Sequence, residues 1–127
     1  MMEHSPWSSV LDRFLALALA SHLVGLDDLR SHLKTFRQET GTCMNDYSEL
    51  TAFCNYLVER GVVTRWQCDK LLNGRFRGFF LGNFKLLEPI GHSGTWGVYA
   101  AEDISRECRV TLRVGLRNGQ PYCEVDE

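Results

Sequence analysis

The sequence has no run of lysine and arginine residues, and its formal net charge is −2 with neutral histidines. Proteins that bind nucleic-acid phosphates need clustered positive charge, so this composition argues against a nucleic-acid partner. The sequence also lacks the ~20 consecutive apolar residues that span a bilayer. The apolar run from Phe14 to Ala20 is short and follows Asp12 and Arg13 rather than a basic leader, so we expect no membrane partner.

The cysteines do not form a recognisable zinc-binding or redox motif. The five cysteines are widely spaced, and none belongs to a C-x-x-C pair of the kind that binds zinc or does redox chemistry. We therefore expect buried free thiols in a reducing cytoplasm and no metal site. These cysteines are Cys43, Cys54, Cys68, Cys108 and Cys123.

An internal repeat organises the first half of the chain. The segment from Phe14 to Leu33 aligns without gaps on Phe53 to Leu72, at an offset of 39 residues, and the match lies in the apolar pattern more than in identities. This pattern indicates two copies of one helix–turn–helix unit. Because neither unit can bury its apolar stripe alone, the two should pack into a four-helix module over residues 1–75.

Apolar stripes with helical spacing and several end signals support this module. Gly61 can end the third helix, and Thr64 with Gln67 forms a capping box at the start of the fourth. Asp46 with Glu49 is a weaker start signal for the third helix, and the stretch before it is predicted to be a loop. That loop runs from Arg37 to Asp46, and the stripes are Leu11, Phe14, Leu15, Ala18 and Leu19; Leu26, Leu29, Leu33 and Phe36; and Leu50, Phe53, Cys54 and Leu57.

A DNA-binding helix–turn–helix is the alternative interpretation of this module. It would turn Arg65, Trp66 and Lys70 toward a groove of the duplex. The balanced charge of the chain does not favour that arrangement. We adopt the other interpretation, a packing module or interaction platform.

The second half is rich in glycine, aromatic and β-branched residues, which are typical of strands and tight turns. Asn118 and Gly119 both tolerate positive φ and therefore predict a tight hairpin, after which Pro121 suits an edge position. The fold class predicted is α+β, with a small antiparallel sheet in residues 76–127. The predicted strands are Asn83 to Ile90, Gly97 to Glu102, Cys108 to Leu116 and Tyr122 to Val125.

The junction between the halves carries two linked motifs, T-x-x-Q-x-x-x-L-L-x-G from Thr64 to Gly74 and G-F-x-L-G-x-F-x-L-L from Gly78 to Leu87. Together with its surroundings, from Phe53 to Val114, this junction resembles the N-terminal region of bacterial, eukaryotic-like serine/threonine protein kinases. There a helical segment leads into the first strand of the kinase N-lobe. The resemblance implies that the sheet corresponds to strands β1–β3 of that lobe, in a cytoplasmic signalling protein.

In protein kinases the next motif is G-x-G-x-x-G-x-V, whose glycines let backbone amides approach the phosphates of ATP. Aligned on Val98, the sequence offers Gly91 as the first glycine, but Ser93 and Trp96 fall at the second and third. The resemblance therefore implies a degenerate glycine-rich loop.

Two further glycines leave an alternative open. Gly94 and Gly97 lie one residue out of register, so a shifted loop could use Gly91, Gly94 and Gly97. Trp96, in the place of the third glycine, would either fill the cleft below the sheet or stand out as a contact residue. Phe79 and Phe80 are two more candidates for a contact surface or for burial.

The lysine that kinases place on the third strand, in a V-A-x-K pattern, is also replaced. The matching residues run from Val110 to Arg113, which puts Arg113 where the lysine is expected. Arginine keeps the charge but not the compact ammonium geometry. We expect Arg113 to be a strand residue in solvent or in a surface ion pair.

The 127 residues contain no H-R-D catalytic loop, no D-F-G magnesium motif and no other catalytic constellation. We expect no catalytic residue, no bound cofactor and no metal. The resemblance implies a non-catalytic, pseudokinase-like interaction or regulatory module with a protein partner. The alternative is the N-terminal part of an active kinase, which would bind ATP and Mg²⁺ with residues beyond Glu127.

Overall fold

The computed structural model describes residues 10–40 and 46–126. The chain divides into two compact units, one reaching to Arg77 and the other beginning at Gly78. Helices form the first unit and an antiparallel sheet forms the second, so the fold is α+β, as the sequence predicts. In the part of the chain that the structure describes, no helix has both the length and the apolar character needed to cross a bilayer.

The helical unit contains the four helices expected from the repeat. Helix α2 continues through Thr40, so the prediction that the loop begins at Arg37 is wrong. The remainder of that loop, residues 41–45, and Cys43 with it, lie outside the described residues, as does the side chain of Asp46, so its capping role is untested. The helices are α1 (Val10–Ala20), α2 (Leu26–Thr40), α3 (Asp46–Glu59) and α4 (Arg65–Leu72).

The helix ends follow the offset of the repeat. Helix α1 ends 39 residues before α3, and α2 begins 39 residues before α4. The residue two positions after α1 is His22, with a φ of 65°, and its counterpart after α3 is Gly61, with a φ of 75°. Both amides bond to a carbonyl three residues earlier, so the two helices end with the same turn. Glycine takes this left-handed conformation without strain, whereas His22 carries a side chain there.

The buried side chains repeat with the same offset. Phe14 and Phe53 are both buried, as predicted, and Phe53 has no exposed surface. Its ring lies 5.2 Å from that of Phe36 and 6.2 Å from that of Tyr56, between centroids, which joins α2 to α3. Leu26 departs from the predicted stripe, because it stands at the first position of α2 and is 48% exposed. The other buried counterparts are Leu11 with Leu50, Ala18 with Leu57, Val24 with Val63, and Leu29 with Cys68.

The predicted capping box at α4 is confirmed. The backbone N–H of Gln67 donates to the Thr64 hydroxyl oxygen at 3.1 Å. The backbone N–H of Thr64 donates to the side-chain oxygen of Gln67 at 2.9 Å. Gln67 is only 2% exposed, so this reciprocal pair also satisfies a buried polar group. The cap therefore fixes where α4 begins.

Replacing Thr64 with alanine should lower the free energy of unfolding by about 1 kcal/mol, because an amide at the start of α4 loses its acceptor. Thr64→Ser keeps the hydroxyl and should change stability by much less. Urea unfolding followed by circular dichroism would measure both variants. Equal stabilities for the two variants would show that the hydroxyl does not contribute.

The second unit is a five-stranded sheet in which every strand pairs antiparallel with its neighbour along the chain. The four predicted strands are present. The first extends three residues beyond its predicted end at Ile90, and the other three exceed their predicted bounds by only one or two residues at an end. Two register shifts interrupt the pairing of the second and third strands, near Leu87 and near Ile90. The strands are β1 (Phe80–Leu81), β2 (Phe84–Ser93), β3 (Trp96–Asp103), β4 (Cys108–Arg117) and β5 (Gln120–Asp126).

The last hairpin forms where the sequence predicts it. Asn118 and Gly119 have φ values of 55° and 76°, the signs that a type I′ turn requires at both central positions. The two-residue turn fixes the register, because Arg117 then lies opposite Gln120 and each following pair is determined. It thereby decides which β5 side chains lie beside those of β4.

Candidate functional site

The residues that the sequence places at the degenerate glycine-rich loop are neighbours on three strands. Gly91 in β2 lies opposite Val98 in β3, and Val98 lies opposite Arg113 in β4. Ser93 and Trp96 close the β2–β3 hairpin as its last pair. The structure thus brings together the glycine-rich-loop positions and Arg113, with Gly94 in the turn between Ser93 and Trp96.

The tip of this hairpin is a two-residue turn, Gly94-Thr95. Gly94 has a φ of 64°, a value that glycine adopts readily and that a type II′ turn requires at its first central position. Gly91 and Gly97 do not have positive φ and belong to the strands. Of these three glycines, only Gly94 has a backbone conformation that requires the residue.

Trp96 lies on the sheet, over Gly115. A Cβ atom at position 115 would lie 3.0 Å from the indole, so any larger residue there would require the ring to shift. The ring also meets Tyr122 of β5 edge-on, with centroids 5.8 Å apart and planes at 74°. Trp96 is half-buried by these contacts. Of the two alternatives given for Trp96, the indole therefore packs on the sheet and does not project into solvent.

Arg113, at the position where the resemblance implies a kinase lysine, is engaged within the sheet. Its guanidinium forms a salt bridge with Glu124, the residue opposite it in β5. The guanidinium carbon lies 5.5 Å from the centre of the Trp96 indole, within the range of a cation–π contact. The Nε atom of Arg113 is buried and has no hydrogen-bond partner among the described residues. The expected ion pair is present, with Glu124 as the partner, but both side chains are only about a third exposed rather than fully in solvent.

A second arginine extends the same arrangement. The guanidinium carbon of Arg117 lies 3.8 Å from the centre of the Tyr122 ring, on the side of the cluster away from Arg113. Two adjacent rings, Trp96 and Tyr122, thus lie between two guanidinium groups, Arg113 and Arg117, across three strands. We call these four residues the aromatic–arginine row. Cross-strand contacts of this kind stabilise a sheet and also hold each side chain in a defined orientation.

Half of this row was not found from the sequence. These members are Tyr122 and Arg117; Gly115 and Glu124, which lie beside the row, were not named as site residues either. The signal was nevertheless present, because the Asn118-Gly119 turn sets Tyr122 opposite Gly115 and Glu124 opposite Arg113. What the sequence could not indicate is that the indole of Trp96 would lean over Gly115 to join them.

Phe79 and Phe80, the other candidate contact residues, are not exposed. Phe79 is 2% exposed and Phe80 is half-buried in β1. The Phe79 carbonyl accepts a 2.7 Å hydrogen bond from the Leu86 amide. Phe79 is therefore buried and does not form part of a contact surface.

The described cysteines are free thiols, but they do not share one environment. Cys54 and Cys68 are buried, as predicted, whereas Cys108 is exposed and Cys123 is half-buried. The prediction that all the thiols are buried is therefore wrong for Cys108, which stands at the first position of β4. A hydrogen bond with Cys68, together with burial, raises the pKa of Cys54 above its ordinary value and keeps that thiol protonated.

Side chains that could bind a metal are not clustered in the part of the chain that the structure describes. Within residues 10–40 and 46–126, no group of three or more histidine, cysteine, aspartate or glutamate side chains could hold a metal ion. The candidate site is the hairpin tip together with the aromatic–arginine row. Comparison of the chain with protein-family models, with curated proteins and with solved structures finds no match.

Proposed function

We propose that this chain is a non-catalytic interaction or regulatory module, related to serine/threonine protein kinases and carrying a degenerate glycine-rich loop. The family relation rests on the two junction motifs, from Thr64 to Gly74 and from Gly78 to Leu87. The non-catalytic character rests on the hairpin and on the row beside it. The observation that carries the proposal is the salt bridge of Arg113 with Glu124 under the Trp96 indole.

Arg113 supports the proposal because its guanidinium could bind a phosphate only by giving up its present contacts. A cation that holds ATP phosphates must present free donors toward the nucleotide. Here the guanidinium is already bound to Glu124 and lies against Trp96, so binding a phosphate would break both contacts. Glu124 would also repel the incoming phosphates.

Trp96 supports the proposal through the space that it fills. Glycine at the third loop position leaves room for phosphates beside the backbone. The indole of Trp96 instead covers Gly115 and meets Tyr122, on the face of the sheet that carries Arg113. This packing gives the residue a structural role that does not need a nucleotide.

A protein is the partner that this surface suits best. Tyrosine and arginine are enriched at protein interfaces, and beside the packed Trp96 the half-buried Tyr122 and the exposed Arg117 keep accessible surface. The balanced charge of the chain favours neither nucleic acid nor a membrane as partner. The proposal includes no cofactor. From the resemblance to bacterial kinases, we also propose that the module acts in signalling in the bacterial cytoplasm.

The chain is expected not to bind Mg-ATP. Titration of the ¹⁵N-labelled protein with millimolar Mg-ATP, followed by amide chemical shifts, should give no saturable change in the residues from Gly91 to Gly97. A titration with magnesium sulfate at the same ionic strength is the control, because salt alone shifts exposed amides. The physical reason is that Arg113 is bound to Glu124 and that Ser93 and Trp96 stand where the loop glycines are expected.

Saturable shifts centred on Gly91 to Gly97 would contradict this proposal. They would favour the shifted loop that uses Gly91, Gly94 and Gly97. They would also favour the alternative that the chain is the N-terminal part of an ATP-dependent kinase, with its catalytic residues beyond Glu127.

A further inference from the structure

The sheet has one short edge and one long edge. Strand β1 at one edge has two residues, whereas β5 at the other has seven and pairs only with β4 in the described sheet. A long edge strand presents backbone amides and carbonyls that can pair with another strand. The outer side of β5 is therefore a candidate interaction surface.

The tight turn determines which backbone groups face outward. In a hairpin with a two-residue turn, the residues flanking the turn exchange hydrogen bonds, and bonded and non-bonded pairs then alternate. Arg117 and Gln120 are the flanking pair, so the groups of Pro121, Cys123 and Val125 point away from β4. Pro121 has no amide to donate, which suits this outward position.

The side chains at these outward positions carry no charge. Edge strands are commonly protected by lysine or other charged residues, but β5 has proline, cysteine and valine there. Val125 is 37% exposed, and Leu116, which lies opposite Pro121, is 72% exposed. Of the usual protective devices, only Pro121 is found at these three positions.

We infer that β5 pairs with β5 of a second copy of this chain, antiparallel and around a two-fold axis at Cys123. In this register Cys123 lies opposite Cys123 of the second copy, and Pro121 lies opposite Val125. The Cys123 amides and carbonyls bond reciprocally, and each Val125 amide donates to the Pro121 carbonyl of the other copy. Because Pro121 has no amide N–H, the Val125 carbonyl of the other copy lacks its donor, so one inter-strand hydrogen bond is missing at each end of the pairing.

Charge and polarity make this register self-complementary, which favours a second copy over another occupant. Tyr122 falls opposite Glu124 of the second copy, where a phenol can donate to a carboxylate. Arg117, which stacks on Tyr122, is brought toward the same Glu124. No like charges lie directly opposite each other. On the other face of the sheet, the apolar residues Leu116, Pro121 and Val125 of the two copies become continuous.

Sedimentation equilibrium of the whole chain from micromolar to millimolar concentration, in reducing agent, tests the pairing. A reversible monomer–dimer equilibrium is expected, in the weak range that a small interface supports. Cys123→Lys places two ammonium groups face to face at the axis and should weaken the dimer by at least about tenfold. Cys108→Lys, at the exposed first position of the inner strand β4, is the matched control and should leave the dimer unchanged.

Mixing two charged variants distinguishes the two-fold register from general loss of structure. Cys123→Asp should dissociate by itself for the same reason as Cys123→Lys, but an equimolar mixture of the two should form a heterodimer. Circular dichroism of each variant confirms that the fold is retained. A chain that stays monomeric at millimolar concentration, or a mixture that fails to associate while both variants remain folded, would overturn the inference.

Discussion

Replacing Phe53 with alanine is expected to lower the free energy of unfolding of the helical unit by about 3–5 kcal/mol. The side chain has no exposed surface, so the substitution leaves a cavity as well as removing apolar area from the core. The rings of Phe36 and Tyr56, at 5.2 and 6.2 Å between centroids, would lose their common neighbour. A loss of this size is a large fraction of the stability of a typical small domain.

Urea unfolding followed at 222 nm would measure this loss, because the helices dominate the signal there. Leu26→Ala is the matched control, since it also removes a large apolar side chain from a helix but from a position that is 48% exposed. Its cost should stay below about 1 kcal/mol. A Phe53→Ala variant no less stable than Leu26→Ala would mean that Phe53 does not belong to the core.

The helical unit was predictable because the same apolar pattern and the same helix ends occur in both copies of the repeat. The same offset that aligns Phe14 with Phe53 also aligns the ends of α1 and α3 and the starts of α2 and α4. An apolar stripe indicates which face is buried but not how far a helix extends, so α2 passes the predicted loop boundary at Arg37. For the same reason Leu26, at the end of its stripe, was predicted to be buried and is not.

The sheet was predictable where a turn signal fixes its register. A type I′ turn requires positive φ at both central positions, which Asn118 and Gly119 tolerate, so this pair located the last hairpin and the strands beside it. The register shifts near Leu87 and Ile90 have no comparable sequence signal, because a bulge leaves the residue types almost unchanged. The kinase-like motifs likewise indicated where Arg113 would lie but not that Glu124 would bind it, since β5 is not part of the resemblance.

Replacing Trp96 with glycine is expected to destabilise the sheet unit by about 1–3 kcal/mol. The indole is half-buried over Gly115 and against Tyr122, so its removal exposes apolar surface on both. The guanidinium of Arg113 would also lose its cation–π contact. Mg-ATP binding should remain absent in this variant, because restoring one glycine leaves Ser93, Arg113 and its salt bridge unchanged.

Amide signals of β3 and β4, followed by NMR as the temperature is raised, would report the sheet unit separately from the helices. A loss of 1 kcal/mol lowers the melting temperature of a small domain by about 4–8 °C. Arg109→Gly is the control for the conformational freedom that glycine adds, because Arg109 is an exposed β4 residue. Glycine alone should cost about 0.5–1 kcal/mol there.

The contact with Gly115 gives an independent check on the same packing. In Gly115→Ala the new methyl group would lie 3.0 Å from the indole, so Trp96 must shift and its indole N–H signal should move. Gly91→Ala is the control, because a Cβ atom there meets nothing within 4 Å and the φ of Gly91 is not positive. If Trp96→Gly were as stable as the original chain, and Gly115→Ala left the indole signal in place, the indole would not pack on the sheet. Trp96 would then be a contact residue for a partner, and the packing that we describe would be wrong.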